Sequence, residues 1–133
     1  MQISQAVVEK MKKHALCDLP IECCGLLIGN SKIIEQAVPA ENILASESRY
    51  LVNPSDHFEA LRVARSKGLS VIGAYHSHPK GPTVPSSVDL LEASYEEFLY
   101  VIVFPGVDEG STQVNGFRII DEVASPVLLS LVF

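Results

Sequence analysis

Cysteine is scarce in this 133-residue chain, and the few cysteines are poorly placed for cross-links or thiolate metal sites. There are three, Cys17, Cys23 and Cys24, and two of them are adjacent. An odd count with an adjacent pair makes a poor disulfide framework, and the sequence has no CxxC pair to hold zinc through thiolates. We therefore expect a reducing, cytoplasmic setting.

Long apolar runs and an excess of basic residues are also missing. The stretch MQISQAVVEKMKKHA lacks the apolar segment of a signal peptide, and the final PVLLSLVF is far too short to cross a bilayer. The net charge of −6 at pH 7 argues against a nucleic-acid partner, which favours a basic surface. We expect a soluble protein with neither a nucleic-acid nor a membrane partner, and the oligomeric state stays open.

No repeat, low-complexity tract or long linker divides the chain, so residues 1–133 are expected to form a single domain. Apolar residues make up 47% and charged residues 20%, which is an ordinary globular balance. A chain of this length buries a core without disulfide or metal staples. A bound metal would therefore serve function rather than folding.

Helical and strand patterns interleave along the sequence. Apolar residues at helical spacing and cap signals predict helices over residues 4–17, 54–68 and 86–98. Short apolar runs predict strands over residues 24–30, 32–42, 49–53, 70–78, 99–105, 113–120 and 126–133. The first two strands should pair across a turn at Asn30 and Ser31, and the last should be buried. This order predicts an α/β sandwich with a mixed β-sheet flanked by helices.

Two histidines and an aspartate surround a proline-rich loop in residues 73–92, GAYHSHPKGPTVPSSVDLLE. Alternate residues of a strand point to one side, about 6.6 Å apart, so His76 and His78 can converge on one ion. Asp89 lies in the first turn of a predicted helix, where the helix dipole favours an ionised carboxylate. Two histidines and one carboxylate leave a fourth position open, which is the pattern of a catalytic zinc site.

Each of these features also has an ordinary structural explanation. A His-x-His pair on a strand is usually incidental, and Ser86 with Asp89 resembles a helix capping box that needs no metal. Glu22 is a candidate base for proton transfer at the site, but a solvent-exposed residue at the start of a strand would look the same. His14 and His57 are expected on helix surfaces without a role.

The combination of these pieces is more specific than any one of them. Residues 22–29, ECCGLLIG, are followed far downstream by HSHP at 76–79, then Ser86 and Asp89. This set resembles the JAMM motif of the MPN-plus metalloprotease family, also called Mov34/MPN/PAD-1, and the resemblance covers nearly the whole chain. It implies a zinc isopeptidase or peptidase on a cytidine-deaminase-like α/β fold.

The resemblance also implies roles for individual residues. By position, His76, His78 and Asp89 would bind Zn²⁺. Glu22 would be the general base and acid, and Ser86 would help to hold the oxyanion. Substrates of the family are tails of ubiquitin or ubiquitin-like proteins that end in Gly-Gly, and such a tail can add to a sheet edge as a strand.

This compact chain resembles the stand-alone prokaryotic members of the family, which are linked to ubiquitin-like sulfur-carrier proteins. It has no room for the large insertions with which eukaryotic relatives read polyubiquitin. Two other functions stay open at this point. A non-catalytic MPN-type scaffold is one, although inactive relatives typically lack the metal ligands. A zinc deaminase is the other, but the H-x-E and P-C-x-x-C signatures are missing.

Overall fold

The computed structural model describes residues 1–108 and 110–133, and these residues form three helices and eight strands. The helices are α1 (Gln5–Asp18), α2 (Pro54–Ser66) and α3 (Ser87–Glu92). The strands are β1 (Gln2–Ser4), β2 (Cys24–Gly29), β3 (Ile33–Ala40), β4 (Ser70–Ser77), β5 (Leu99–Phe104), β6 (Gln113–Ile120), β7 (Val123–Val127) and β8 (Ser130–Val132).

The strands form one mixed sheet in the order β7-β6-β5-β4-β2-β3-β1-β8. β1 runs parallel to β3 and β8, β4 runs parallel to β5, and the other neighbours are antiparallel. β7 and β8 lie at opposite ends of this order, yet only residues 128 and 129 separate them in the chain. The sheet therefore curls until its two edges meet. The predicted α/β class with a mixed sheet is confirmed.

Two cores lie on the two faces of the sheet, because successive strand residues point to opposite sides. One core packs under α1 and includes Val7, Met11, Ala15, Leu27, Tyr75 and Val101. The other packs under α2 and includes Leu26, Ala60, Ala74, Tyr100 and Ile102. His76 follows Ala74 by two positions, so its side chain lies on the α2 face at the centre of the sheet.

The first two helices begin where the sequence predicts. The Ser4 hydroxyl accepts a hydrogen bond from the Val7 amide (3.2 Å) and caps α1, as expected of an N-cap serine. Asn53 caps α2 by accepting from the Ser55 amide at 3.0 Å. No helix in the described residues is long and apolar enough to cross a membrane.

Two predicted elements in the middle of the chain are wrong in extent or type. Residues 49–53 form no strand, and only a single bridge joins Asn42 to Val52. The helix predicted over residues 86–98 ends at Glu92, because the next residue turns to extended backbone with φ −63° and ψ 116°. The following loop is fixed instead by a hydrogen bond from the Tyr95 amide to the Tyr100 hydroxyl (3.1 Å).

The prediction of one buried C-terminal strand is also wrong. Residues 126–133 are divided between β7 and β8, which lie on opposite edges of the sheet. The apolar side chains there are largely exposed, with Leu128 at 81%. β8 pairs with β1, a three-residue strand that the sequence pattern did not predict. An apolar run of this length cannot show by itself that it crosses from one sheet edge to the other.

Candidate metal centre

The His-Ser-His sequence lies at the C-terminal end of β4, in the centre of the sheet. The Ser77 amide donates to the Cys23 carbonyl (3.0 Å), and the Ser77 hydroxyl accepts from the Cys23 amide (2.8 Å). On the other side, the His78 amide donates to the Val103 carbonyl of β5 at 2.9 Å. These bonds hold the backbone of the His-Ser-His sequence between β5 and Cys23, the residue that follows Glu22.

Three side-chain atoms converge on one point beside this strand end. Nε2 of His76 and Nε2 of His78 are 3.0 Å apart, and they lie 3.1 and 3.0 Å from Oδ2 of Asp89. Neighbouring ligands on a tetrahedral ion with bonds of 2.0–2.1 Å are separated by about 3.3 Å. The spacing of the donor set therefore fits a metal ion.

Further hydrogen bonds orient two of these three side chains. Nδ1 of His78 donates to the Pro82 carbonyl (2.7 Å), which leaves the Nε2 lone pair available to a metal. The Ser86 amide donates to Oδ2 of Asp89 (2.9 Å), and the Ser86 hydroxyl accepts from the Asp89 amide (3.1 Å). The predicted capping box is therefore present, and it aims the same carboxylate oxygen at the histidines.

Glu22 is buried rather than solvent-exposed, so the ordinary explanation of this residue is wrong. The residue is only 4% exposed, and its Oε1 has no hydrogen-bond partner among the described residues. A carboxylate oxygen of Glu22, a ring nitrogen of His76 and a ring nitrogen of His78 all lie within 4.8 Å of one another. Burial raises the pKa of the Glu22 carboxyl to about 7. Glu22 therefore brings a buried carboxyl, with an Oε1 that no described residue bonds, to the side of the converging set.

The environment also shifts the pKa of each of the three converging side chains. Burial lowers the pKa of His76, which favours the neutral imidazole that a metal requires. For Asp89, burial acts upward, but hydrogen bonds to both histidines outweigh it and hold the pKa well below its ordinary value. For His78, burial acts downward, but hydrogen bonds to Asp89 and the Pro82 carbonyl raise the pKa. A proton on His78 would therefore compete with a metal.

Two residues near the centre carry no local signal in the sequence. The Tyr50 ring stacks on the His76 ring with centroids 4.4 Å apart and an angle of 20° between planes. Asn42 is buried and bonds the carbonyl of Glu22 (3.0 Å). Both belong to the segment between β3 and α2, and contacts this distant along the chain do not appear in a periodic pattern.

His14 and His57 were both expected on helix surfaces, and this expectation does not hold for both of them. His14 is partly buried, and its Nδ1 lies 2.7 Å from the Tyr75 hydroxyl in the core under α1. His57 lines a cavity and makes an edge-on contact with Tyr95, with ring centroids 6.3 Å apart. Neither of them joins the converging set.

An apolar cavity of about 520 Å³ opens beside Asp89 on the α2 face. Its lining includes Tyr50, Leu51, Val52, Phe58, Val88 and Tyr95. Asp89 lines this cavity, and so does Tyr50, which stacks on His76, so the cavity adjoins the candidate metal centre. Concave apolar sites with a few convergent polar groups are where small ligands and extended chains bind.

Most of the chain matches one family of known proteins: residues 4–116 fit the family described as "Prokaryotic homologs of the JAB domain". The chain belongs to that family. This membership confirms the resemblance carried by the sequence motif, and the stand-alone prokaryotic type in particular. The matched range contains every residue of the converging set.

Three relatives show how far the likeness extends. The chain is 34% identical over 96 residues to a probable TtuB-protein conjugate cleaving protease of Thermus thermophilus, covering 71% of this chain and 64% of the relative. It is 34% identical over 104 residues to a desampylase of Haloferax volcanii, covering 75% and 74%. It is 28% identical over 117 residues to a CysO-cysteine peptidase of Mycobacterium tuberculosis, covering 86% and 80%.

Solved structures share the fold. The solution structure of protein DSY2949 from Desulfitobacterium hafniense is 26% identical, with a TM-score of 0.89 over 98% of this chain and 91% of that one. AF2198, a JAB1/MPN domain protein from Archaeoglobus fulgidus, is 22% identical, with a TM-score of 0.65 over 99% and 97%. The curled mixed sheet with its flanking helices is therefore the fold of JAB1/MPN domains.

Proposed function

We propose that this protein is a zinc-dependent peptidase or isopeptidase. Its substrate would be a ubiquitin-like or sulfur-carrier protein, cleaved at the bond after the carrier's C-terminal Gly-Gly. The observation that carries the proposal is the convergence of His76, His78 and Asp89 beside the buried carboxylate of Glu22, whose Oε1 has no partner within residues 1–108 and 110–133.

Zinc is the metal that this donor set favours. Two imidazole nitrogens and one carboxylate oxygen match the ligands of catalytic zinc sites, which keep one position open. The bond from Nδ1 of His78 to the Pro82 carbonyl is the kind of support that zinc-binding histidines have. His76, His78 and Asp89 are the ligands in this proposal.

Bound zinc lowers the pKa of water and polarises a carbonyl group, which prepares an amide bond for hydrolysis. Glu22 takes the proton of the attacking water at its free Oε1 and returns it to the leaving amine. The burial of Glu22 excludes bulk water from this transfer, since the residue is only 4% exposed. The family resemblance supports the role of Glu22 as base and acid, and so does its carboxylate oxygen, which lies within 4.8 Å of the ring nitrogens of His76 and His78.

Ser86 would stabilise the negative oxygen that develops on the scissile carbonyl. Its hydroxyl accepts a hydrogen bond from the Asp89 amide, so the hydroxyl proton is still available to donate. One donor of this kind is worth about 2.7–4 kcal/mol in transition-state stabilisation. Ser86 thus contributes to the reaction without touching the metal.

The substrate class is inferred from the relatives and from the shape of the site. The names of the relatives describe cleavage of TtuB-protein conjugates, desampylation and cleavage of CysO-cysteine. The cavity beside Asp89 can accept an extended tail that leads to the metal centre. We place the protein in the cytoplasm, where the free thiols of Cys17, Cys23 and Cys24 stay reduced.

Metal content and cleavage of a carrier test this proposal together. Purified protein should hold about one zinc per chain by plasma mass spectrometry, and H76A and D89A should lose it. H57A is the matched control, because His57 is a histidine near the site that lies outside the donor set. A carrier with one residue added after its Gly-Gly is then the substrate, and mass spectrometry detects release of that residue. Protein with neither zinc nor cleavage would instead be a binding scaffold.

A further inference from the structure

The two histidines of the proposed zinc site are held by different means. Nδ1 of His78 donates to the Pro82 carbonyl at 2.7 Å. Nδ1 of His76 is buried and has no hydrogen-bond partner in residues 1–108 and 110–133. Metal-binding histidines almost always use this second nitrogen to fix the plane of the ring. Another contact must therefore fix the ring of His76.

The Tyr50 ring provides that contact. It stacks on His76 with centroids 4.4 Å apart and only 20° between the ring planes. The edge of His78 meets the same imidazole from another direction, at 4.9 Å and 66°. We propose that Tyr50 is a positioning residue that fixes the ring plane of His76 and thereby sets the affinity of the site for its metal. This inference rests on the proposed function.

The backbone on both sides of Tyr50 is anchored to one buried side chain. Nδ2 of Asn42 donates to the carbonyl of Arg49 (3.0 Å), and its Oδ1 accepts from the amide of Leu51 (3.1 Å). The same Nδ2 donates to the carbonyl of Glu22 at 3.0 Å. One amide therefore ties the peptides that flank Tyr50 to the backbone of the proposed base.

An ion pair joins the residue before Tyr50 to the helix of the third ligand. Nε and Nη2 of Arg49 lie 3.0 and 2.8 Å from Oε1 of Glu92, the last residue of α3. α3 also carries Asp89. The pair is exposed and contributes little stability, so it adds a contact between the Tyr50 segment and α3, and the main anchor of the segment is Asn42.

The ring face of Tyr50, rather than its hydroxyl, makes the contact with His76. The hydroxyl has no hydrogen bond to any described residue, so phenylalanine keeps the stack and leucine removes it. If Tyr50 only filled space in the core, its loss would lower stability without changing metal affinity. Metal affinity and stability therefore separate a positioning role from simple packing.

The experiment measures Zn²⁺ affinity by competition with a chromogenic chelator in wild type, Y50F, Y50L, Y95L and H76A. Y95L is the matched control, because Tyr95 lines the same cavity but stacks on Phe98 at 4.5 Å. We expect Y50L to bind zinc ten- to hundredfold more weakly than wild type, as is typical when support of a ligand is removed. Y50F and Y95L should keep the wild-type affinity. Thermal unfolding of the metal-free proteins records any loss of stability separately.

The outcomes distinguish this inference from the proposed function. Equal binding by wild type and H76A overturns the zinc site itself. Tight binding by wild type and weak binding by H76A, with wild-type affinity in folded Y50L, overturns only the role of Tyr50. Y50F as weak as Y50L also overturns it, because the hydroxyl would then be responsible. If Y50L does not fold, Y50M takes its place, and wild-type affinity there has the same meaning.

Discussion

Replacement of Glu22 by glutamine separates metal binding from catalysis and also changes stability in a defined direction. The amide has nearly the same shape as the carboxyl but cannot take up a proton. E22Q should therefore keep its zinc and lose turnover by about 10²–10⁴-fold, the usual contribution of a general base. Glu22 lies next to the proposed ligands rather than among the three atoms that converge, so zinc content should not change.

The stability effect follows from the burial of this carboxyl in the metal-free protein. Its pKa rises from an ordinary value of 4.5 to about 7 in the fold. That difference corresponds to roughly 3 kcal/mol, at about 1.4 kcal/mol per tenfold change in proton affinity. Because the folded chain holds this proton more tightly than the unfolded chain, wild type loses stability as the pH rises from 4.5 to 7. E22Q has no such loss.

Urea unfolding in the presence of a chelator tests this reasoning. The free energy of unfolding of E22Q minus that of wild type should grow by up to roughly 3 kcal/mol between pH 4.5 and pH 8, and most of the change should be complete near pH 7. A difference that stays constant across this range would refute the claim that burial penalises the ionised carboxylate. Cleavage at the wild-type rate by zinc-loaded E22Q would refute the role of Glu22 in proton transfer.

Two further substitutions test other parts of the site and the sheet. S86A should keep its zinc and lose about 10²–10³-fold in kcat, because an oxyanion donor is removed. Its free energy of unfolding should fall by about 1 kcal/mol, because the cap to Asp89 is lost. An unchanged kcat in steady-state assays contradicts the first of these expectations. The free energy of unfolding of G25A in urea should be about 1–3 kcal/mol lower than that of wild type, since a methyl group there would overlap the Tyr75 ring and the Val38 carbonyl. Wild-type stability in G25A would mean that the strands shift apart without cost.

The convergence of His76, His78 and Asp89 could be predicted from the sequence because it depends on local geometry, and their role as zinc ligands stays a prediction. His76 and His78 are two apart on a strand, and Asp89 opens a helix that the capping serine marks. Strand alternation and helix capping are short-range rules, so they hold whatever the rest of the chain does. The position of Glu22 was predicted only through the family resemblance, since its burial results from packing against distant segments.

The Tyr50 segment shows where sequence patterns fail. RYLVN has the composition of a strand, and backbone bonds do join Leu51 and Asn53 to residues 43 and 41, but the Arg49 carbonyl and the Leu51 amide bond the side chain of Asn42. A single bridge and a buried amide that satisfies several peptide groups stand there in place of a longer sheet ladder. Neither the stack of Tyr50 on His76 nor the role of Asn42 follows from periodicity, because the partners lie far apart along the chain.

The predictions for the end of α3 and for the end of the chain fail for a related reason. Apolar and charged residues over 86–98 fit a helix, but the loop after Glu92 is fixed by the Tyr100 hydroxyl from β5. Residues 126–133 fit one strand, but the curl of the sheet divides them between its two edges. In both places tertiary contacts override local propensity.

The pair of hydrogen bonds between Ser77 and Cys23 has a mechanical consequence for the proposed metal centre. Those bonds join the proposed base and two of the ligands into one stiff half of the centre, built on the middle strands. Asp89 and Ser86 form a separate half, carried by a short helix at the end of a loop. If substrate entry or product release requires motion at the centre, we expect that motion to separate α3 from the strands and to leave Glu22 beside the histidines.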